Sequence, residues 1–331
     1  MAGGAVRVSM GRGVAGALTA TLLLAGAAFA STGIAGESSS AKSKVSVLSA
    51  VEGAHWSSNV TVKASRKSVT ISSNGLPSSE YWTRPAEYAV PDSGVVVPEA
   101  ATSHAMKDPA VETPLSITIP DVPKYTKKTT STSLGPIGIL LSGAPLYNPY
   151  EGDGTTVALA HNFYVENSVG EKVYFVDGCF GHPTPMGAYH YHGMPTCITE
   201  KVDGTSGPSH MIGVALDGFP IYGDRDINGN VVPTSELDQC NGIDSPTPEF
   251  PQGIYHYVLT DEATAQSSLR CYHGKVSKNL TAFTSAAVYH CVLADRARYA
   301  AVVRGAREVH AYDWRSGAAT VFELRGEARP R

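Results

Sequence analysis

The chain is 331 residues long with a formal net charge of −4, and only 17% of its residues are charged. So even a balance gives no basic footprint for a phosphate backbone, and no nucleic-acid partner is expected. Its 33 glycines and 21 prolines favour many short strands and turns over long helices, and its length suits one large β-rich domain or two smaller ones.

Arg7 and Arg12 precede an apolar run from Val14 to Ala30 that ends in Ala28-Phe29-Ala30. This pattern predicts a secretory signal peptide over residues 1–30 with cleavage near Ala30; an uncleaved N-terminal anchor is the competing reading. Either way the rest faces the outside, and no later segment is long and apolar enough to span a bilayer, so the mature chain is expected to be extracellular. Residues 31–54, Ser/Lys-rich between Ser38 and Ser49, read as a flexible lead-in.

The text changes over residues 55–275. Asn59 to Val62 and Ser68 to Ser72 alternate polar with β-branched residues, and Asn74-Gly75-Leu76-Pro77 supplies a turn. Asn59-Val60-Thr61 and Asn279-Leu280-Thr281 are glycosylation acceptor patterns. Leu115 to Ile119 alternates again, and Ile137 to Leu146 is apolar and broken by glycine. A turn-rich loop with exposed tyrosines, Tyr147 and Tyr150, follows before the strand Val173 to Val176.

That strand feeds Asp177-Gly178-Cys179-Phe180-Gly181-His182-Pro183 and Gly187-Ala188-Tyr189-His190-Tyr191-His192-Gly193. On an extended strand side chains alternate, so His190 and His192 point one way and Tyr189 and Tyr191 the other. Two converging imidazoles suit copper or zinc, with His182 as a third ligand from the Pro-rich loop and His256 as a further one. The bland alternative is rings that pack and hydrogen-bond across a sheet.

Cysteines stand at 179, 197, 240, 271 and 291. In an exported chain the first four read as two disulfides, Cys179 with Cys197 and Cys240 with Cys271 favoured, and Cys291 is left over. A zinc site of Cys179, His182, His192 and Cys197 is the alternative, against which an oxidising compartment argues.

Met211 to Gly223 carries one charge, Asp217, which must be hydrogen-bonded, paired or liganded if the run crosses the core. An Asp-Gly turn satisfies it; a catalytic or ligand role is the alternative. Asp224, Asp226 and Asn228 before Gly229 match the first half of a calcium loop, but Ser235 stands where the closing acid belongs, and Asn228-Gly229 is equally a hairpin turn. Tyr255-His256-Tyr257 and Cys271-Tyr272-His273 echo the Tyr-His pairing, so His256 or His273 could complete the site. Residues 276–331 turn Arg- and Ala-rich and form a tail to which no chemistry is assigned.

The two glycine-flanked segments, then Ile212 to Gly223, Leu237-Asp238-Gln239-Cys240-Asn241-Gly242 and Tyr255-His256-Tyr257 occur in an order and spacing that resemble the YHYH family of secreted proteins. The likeness runs from about Val60 to Gly274; the resemblance implies an exported domain and no agreed activity. Here the second motif ends Tyr257-Val258, so a symmetric pair of two-histidine ligands is not available.

The sequence therefore predicts a mainly β, sandwich-like or irregular domain with many short strands, Gly/Pro-rich loops and little helix. It is read first as an extracellular metal-binding module on His182, His190, His192 and His256. Second comes a metal-free module whose tyrosine-rich loops touch glycan or cell surface. Third comes a hydrolase using Asp217 with a histidine or a metal-activated water, which no familiar catalytic motif supports.

Overall fold

The computed structural model describes residues 44–91, 103–151, 154–158, 164–184, 187–262, 264–276 and, as backbone strands, most of 286–323. The expected signal peptide, its cleavage point and Asn279 lie outside the described residues. Among the described residues no helix is long and apolar enough to cross a membrane.

The chain enters through α1 (Leu48–Gly53). Val47 and Val51, four residues apart and so on one helical face, are fully buried, and Val47 N donates to Asp121 O at 2.7 Å. The end of the presumed lead-in is therefore anchored in the core; Ser/Lys-rich composition hid two well-placed valines. β1 (Val60–Ala64) and β2 (Ser68–Ser73) follow, then the paired β3 (Glu87–Pro91) and β4 (Ser103–Lys107), and β5 (Leu115–Pro120), which pairs with β2. The alternation read from the sequence sorts the faces of β2 and β5. Val69, Ile71, Leu115, Ile117 and Ile119 are buried, each worth about 1.5–3 kcal/mol. Across the other face Thr70 bonds Thr118 (3.0 Å) and Ser72 bonds Ser116 (2.8 Å). The Asn59 amide is engaged, donating to Asn74 Oδ1 and Leu76 O at 2.8 Å each.

Next come β6 (Thr130–Ser131), β7 (Pro136–Leu140), β8 (Pro145–Tyr147), the short pair β9 (Tyr164–Glu166) and β10 (Lys172–Tyr174), β11 (Gly181–Pro183) and β12 (Tyr189–Tyr191). α2 (Thr196–Asp203) leads to β13 (Met211–Ala215), β14 (Pro220–Tyr222), β15 (Gly242–Ser245), β16 (Ile254–Val258) and β17 (Cys271–Tyr272), which pairs with β6. Eight of these strands form one mixed sheet in the order β11-β12-β8-β7-β13-β14-β16-β15. Every residue of β7, β13 and β16 is buried, which accounts for uninterrupted apolar runs where a half-exposed strand would alternate. The polar segment after Cys197 is α2: Ile198 buries its one apolar face, and Gly204, at φ 66°, ends it.

The disulfides are Cys179–Cys197 and Cys240–Cys271, the favoured pairing. With both sulfurs in a bridge, Cys179 and Cys197 offer zinc no thiolate, which overturns the Cys2His2 alternative. In the tail, β18 (Ala286–Leu293, containing Cys291), β19 (Arg296–Val303), β20 (Glu308–Asp313) and β21 (Ala318–Glu323) form a four-stranded antiparallel sheet.

Candidate functional site

β11 and β12 pair antiparallel with His182 opposite His190, and strand alternation returns His192 to the same side as His190. His182 thus arrives on a neighbouring strand where the sequence suggested a loop. The three Nε2 atoms converge: His190 to His192 is 2.8 Å and His192 to His182 is 3.1 Å. Four ligands at 2.0–2.1 Å from zinc stand about 3.3 Å apart in a tetrahedron, so these nitrogens already sit near ligand spacing. All three rings are buried, at 7%, 3% and 1% exposure.

The remaining nitrogens settle the tautomers of two rings. His190 Nδ1 faces Ala188 O at 3.1 Å and His192 Nδ1 faces Asn148 O at 2.6 Å. A carbonyl only accepts, so each Nδ1 carries the proton and each neutral ring turns a bare Nε2 lone pair inward. Burial holds all three rings well toward the neutral form, with His192 lowered to about 4, and the charge of neighbouring rings adds to this for His182 and His190. Two lone pairs 2.8 Å apart cannot make a hydrogen bond with each other; they repel unless a cation lies between them. An outer carbonyl on Nδ1 with Nε2 turned inward is also the usual support of a metal-bound imidazole.

β8 runs parallel beside β12, with Tyr191 aligned on Leu146, and this delivers the end of β8 to the site. Tyr147 stacks on His190 with ring centroids 4.0 Å apart, Asn148 supplies the carbonyl to His192, and Glu151 Oε1 lies 3.6 Å from His182 Nε2. Tyr147 and Tyr150, expected exposed, are both half-buried. Glu151 escaped the sequence reading because its Gly-rich turn carries no ligand pattern; the pairing of β8 with β12 relates it to the histidines.

The opposite face of β12 is scaffold. Tyr189 and Tyr191 are fully buried, and Tyr191 Oη lies 3.0 Å from Ser142 Oγ. Asp177 Oδ2 accepts from Tyr189 Oη (2.8 Å), Tyr88 Oη (2.8 Å) and Trp82 Nε1 (2.9 Å), while Oδ1 accepts from the backbone N–H of Cys179 and Gly181. Burial raises the pKa of Asp177, and these donors pull it back down. At Gly181 a Cβ would lie 2.2 Å from Tyr189 Oη, so the strand pair closes only over glycine.

The other sequence-predicted residues lie elsewhere. His256 is not in the three-histidine group: its Nδ1 donates to Ile254 O at 2.9 Å and its ring meets Tyr222 edge-on at 4.8 Å. Asp217 is sealed in the core, accepting from Tyr257 Oη (2.6 Å) and the N–H groups of Gly274 (2.8 Å) and Phe219 (3.3 Å). Asp226 accepts from its own loop, at Asn228 N (2.9 Å) and Asn230 N (2.8 Å), and its pKa is lowered by the latter first, as in a closed turn. Among the described residues Asp224 and Asp226 belong to no group of three or more converging His, Cys, Asp or Glu ligands. His273 stacks on Tyr125 at 4.5 Å and clusters with Asp238 and Cys240, but the Cys240 sulfur is held in its disulfide.

Fold and site together define a disulfide-bonded, mainly β protein built around a buried cluster of three convergent histidines. The sequence profile of the YHYH protein family matches residues 116–230 and 226–274, and this stretch of the chain belongs to that family, as its motifs implied. No curated protein and no solved structure matches the chain.

Proposed function

We propose that this is an exported metal-binding module that holds one transition-metal ion, copper or zinc, on the Nε2 atoms of His182, His190 and His192. Imidazole donors suit both ions. The observation that carries the reading is the 2.8 Å approach of two Nε2 atoms whose Nδ1 protons are committed to carbonyls. Glu151 is the nearby carboxylate able to balance an ion's charge or accept a proton from a water bound to it. Two disulfides fit an oxidising compartment and support export.

The competing readings keep less support. Tyr147 spends its ring face on His190, which takes it from a glycan surface, and Asp217 has both oxygens occupied in the core. The test is elemental analysis of the purified chain after loading with zinc or copper(II) and dialysis, beside His190→Ala/His192→Ala. About one ion per chain is expected in the wild type and none in the variant, as a three-ligand site requires. A wild type that stays metal-free overturns the proposal.

A further inference from the structure

The eight-stranded sheet reads the same from either edge. In the β7·β8 hairpin Pro136 pairs Tyr147, Gly138 pairs Leu146 and Ile139 pairs Pro145, with a register shift after Pro136. In β13·β14 Met211 pairs Tyr222, Gly213 pairs Ile221 and Val214 pairs Pro220, with the shift at the same step. Outside each hairpin lies a parallel neighbour, β12 through Tyr191 on Leu146 and β16 through Tyr257 on Ile221. Outside that lies an antiparallel edge, Gly181 on Tyr191 and Gly242 on Tyr257.

At the middle, β7 and β13 pair as Leu140 with Gly213, Ile139 with Val214 and Gly138 with Ala215. Leu141 N donates to Ile212 O (2.9 Å) while Leu216 N donates to Ile137 O (3.0 Å). Such reciprocity is what a two-fold axis produces, here between halves of one chain.

The sequence follows the same relation. Residues 137–147, IGILLSGAPLY, align without a gap on 212–222, IGVALDGFPIY; DGCFG at 177–181 aligns on DQCNG at 238–242, and Tyr189-His190-Tyr191 on Tyr255-His256-Tyr257. Local chemistry repeats as well. Asp238 Oδ1 accepts from Cys240 N (2.8 Å) and Gly242 N (3.0 Å), and its Oδ2 from Tyr255 Oη (2.9 Å), as Asp177 does in the first half. Phe180 and Asn241, the only non-glycine residues with positive φ among the described residues, occupy the same place in the two turns.

At the histidine site the match breaks at two positions. Opposite His190 stands His182, but opposite His256 stands Ile243; after Tyr191 comes His192, but after Tyr257 comes Val258. We infer that residues 136–192 and 211–258 are two copies of one strand unit, and that the second copy is a histidine site stripped of two of its three ligands with its frame kept. What both copies share is frame, including the Asp, Gly and Tyr of each turn and strand; His182 and His192 are what the site adds to it. Two substitutions, Ile243→His and Val258→His, then assemble a second transition-metal site on His256.

Two variants of the full chain test this, and only the second rests on the metal-binding reading. His182→Ile/His192→Val gives the first copy the second copy's residues; it is expected to keep the wild-type near-UV circular dichroism and, metal-free, to melt no more than about 5 °C below the wild type. Loss of the folded spectrum overturns the equivalence of the halves whatever the wild type binds. Ile243→His/Val258→His is loaded with cobalt(II) and its visible ligand-field absorption titrated. The end point is expected to rise from one ion per chain to two, and to remain at one when His190→Ala/His192→Ala removes the first site. A folded variant whose end point equals the wild type's, or one that fails to fold even with zinc, overturns the stripped-site inference. A wild type that binds nothing sinks the proposed function and leaves the first variant to decide the duplication.

Discussion

His192 illustrates how much a single ring commits. Its outer nitrogen is spent on Asn148 O, its inner one meets both other imidazoles, and burial lowers its pKa to about 4. Replacing it with alanine takes away one of the three proposed ligands and relieves the lone-pair crowding together. His192→Ala is therefore expected to lose metal binding while the metal-free protein is destabilised by no more than about 1–2 kcal/mol, checked by urea unfolding with and without zinc. Gly181→Ala tests the frame instead. Its Cβ would collide with the Tyr189 hydroxyl that bonds Asp177, so a loss of about 2–3 kcal/mol is expected in the same assay, with the three imidazoles untouched. Residue-level chemistry was partly legible in advance: alternation along Tyr189 to His192 put the imidazoles on one face, and the structure brings them together. Glu151 and the carbonyl of Asn148 were not legible, because a parallel strand pairing brings them in and no local pattern encodes such a pairing.

At the level of elements, the strands that polar/apolar alternation announced are those with one wet face. Ser68 to Ser72 and Leu115 to Ile119 alternate because only one side of β2 and β5 is buried. α1 and α2 went unseen since each buries only one or two apolar side chains, too few to set up a helical period against Ser, Lys and Thr. Cysteine spacing carried more. Cys240–Cys271 ties the turn before β15 to β17 across a separation of 31 residues. Closing a loop of that size is worth about 3–4 kcal/mol, so Cys240→Ala/Cys271→Ala is expected to lower the unfolding free energy by that amount in denaturant titration. The first disulfide should remain intact on non-reducing mass analysis.

Over the whole molecule, acid stability is a contest between two buried populations. Burial raises Asp217 to about 6, so between roughly pH 4 and 6 the folded state binds the extra proton and this group favours folding more as pH falls. His192, lowered to about 4, does the reverse: below pH 6.5 the unfolded chain takes a proton the folded one refuses, and stability drops. Asp217→Asn removes the first slope and leaves the second. Its urea midpoint is expected to fall more steeply than the wild type's from pH 6.5 to pH 4, by on the order of 2–3 kcal/mol over the window, in metal-free protein. Parallel slopes in the two proteins would show that Asp217 keeps an ordinary carboxylate pKa. The sheet's order was the part of the fold hardest to read, since a Tyr-His-Tyr echo in the sequence says that two segments are alike but not that they lie at opposite ends of one sheet.

The bridge from Cys179 to Cys197 spans all three convergent histidines, so the segment that offers the inner nitrogens is a covalent ring. A nascent chain in a thiol-rich space has that ring open, its ligands spread over a slack loop whose ordering the ion would have to offset. On the proposed reading of an exported metal-binding module, oxidation would come first and capture second. The cysteine pair would then keep the chain from scavenging metal before the bridge forms, and mild phosphine reduction of the metal-loaded protein is expected to return the ion to solution.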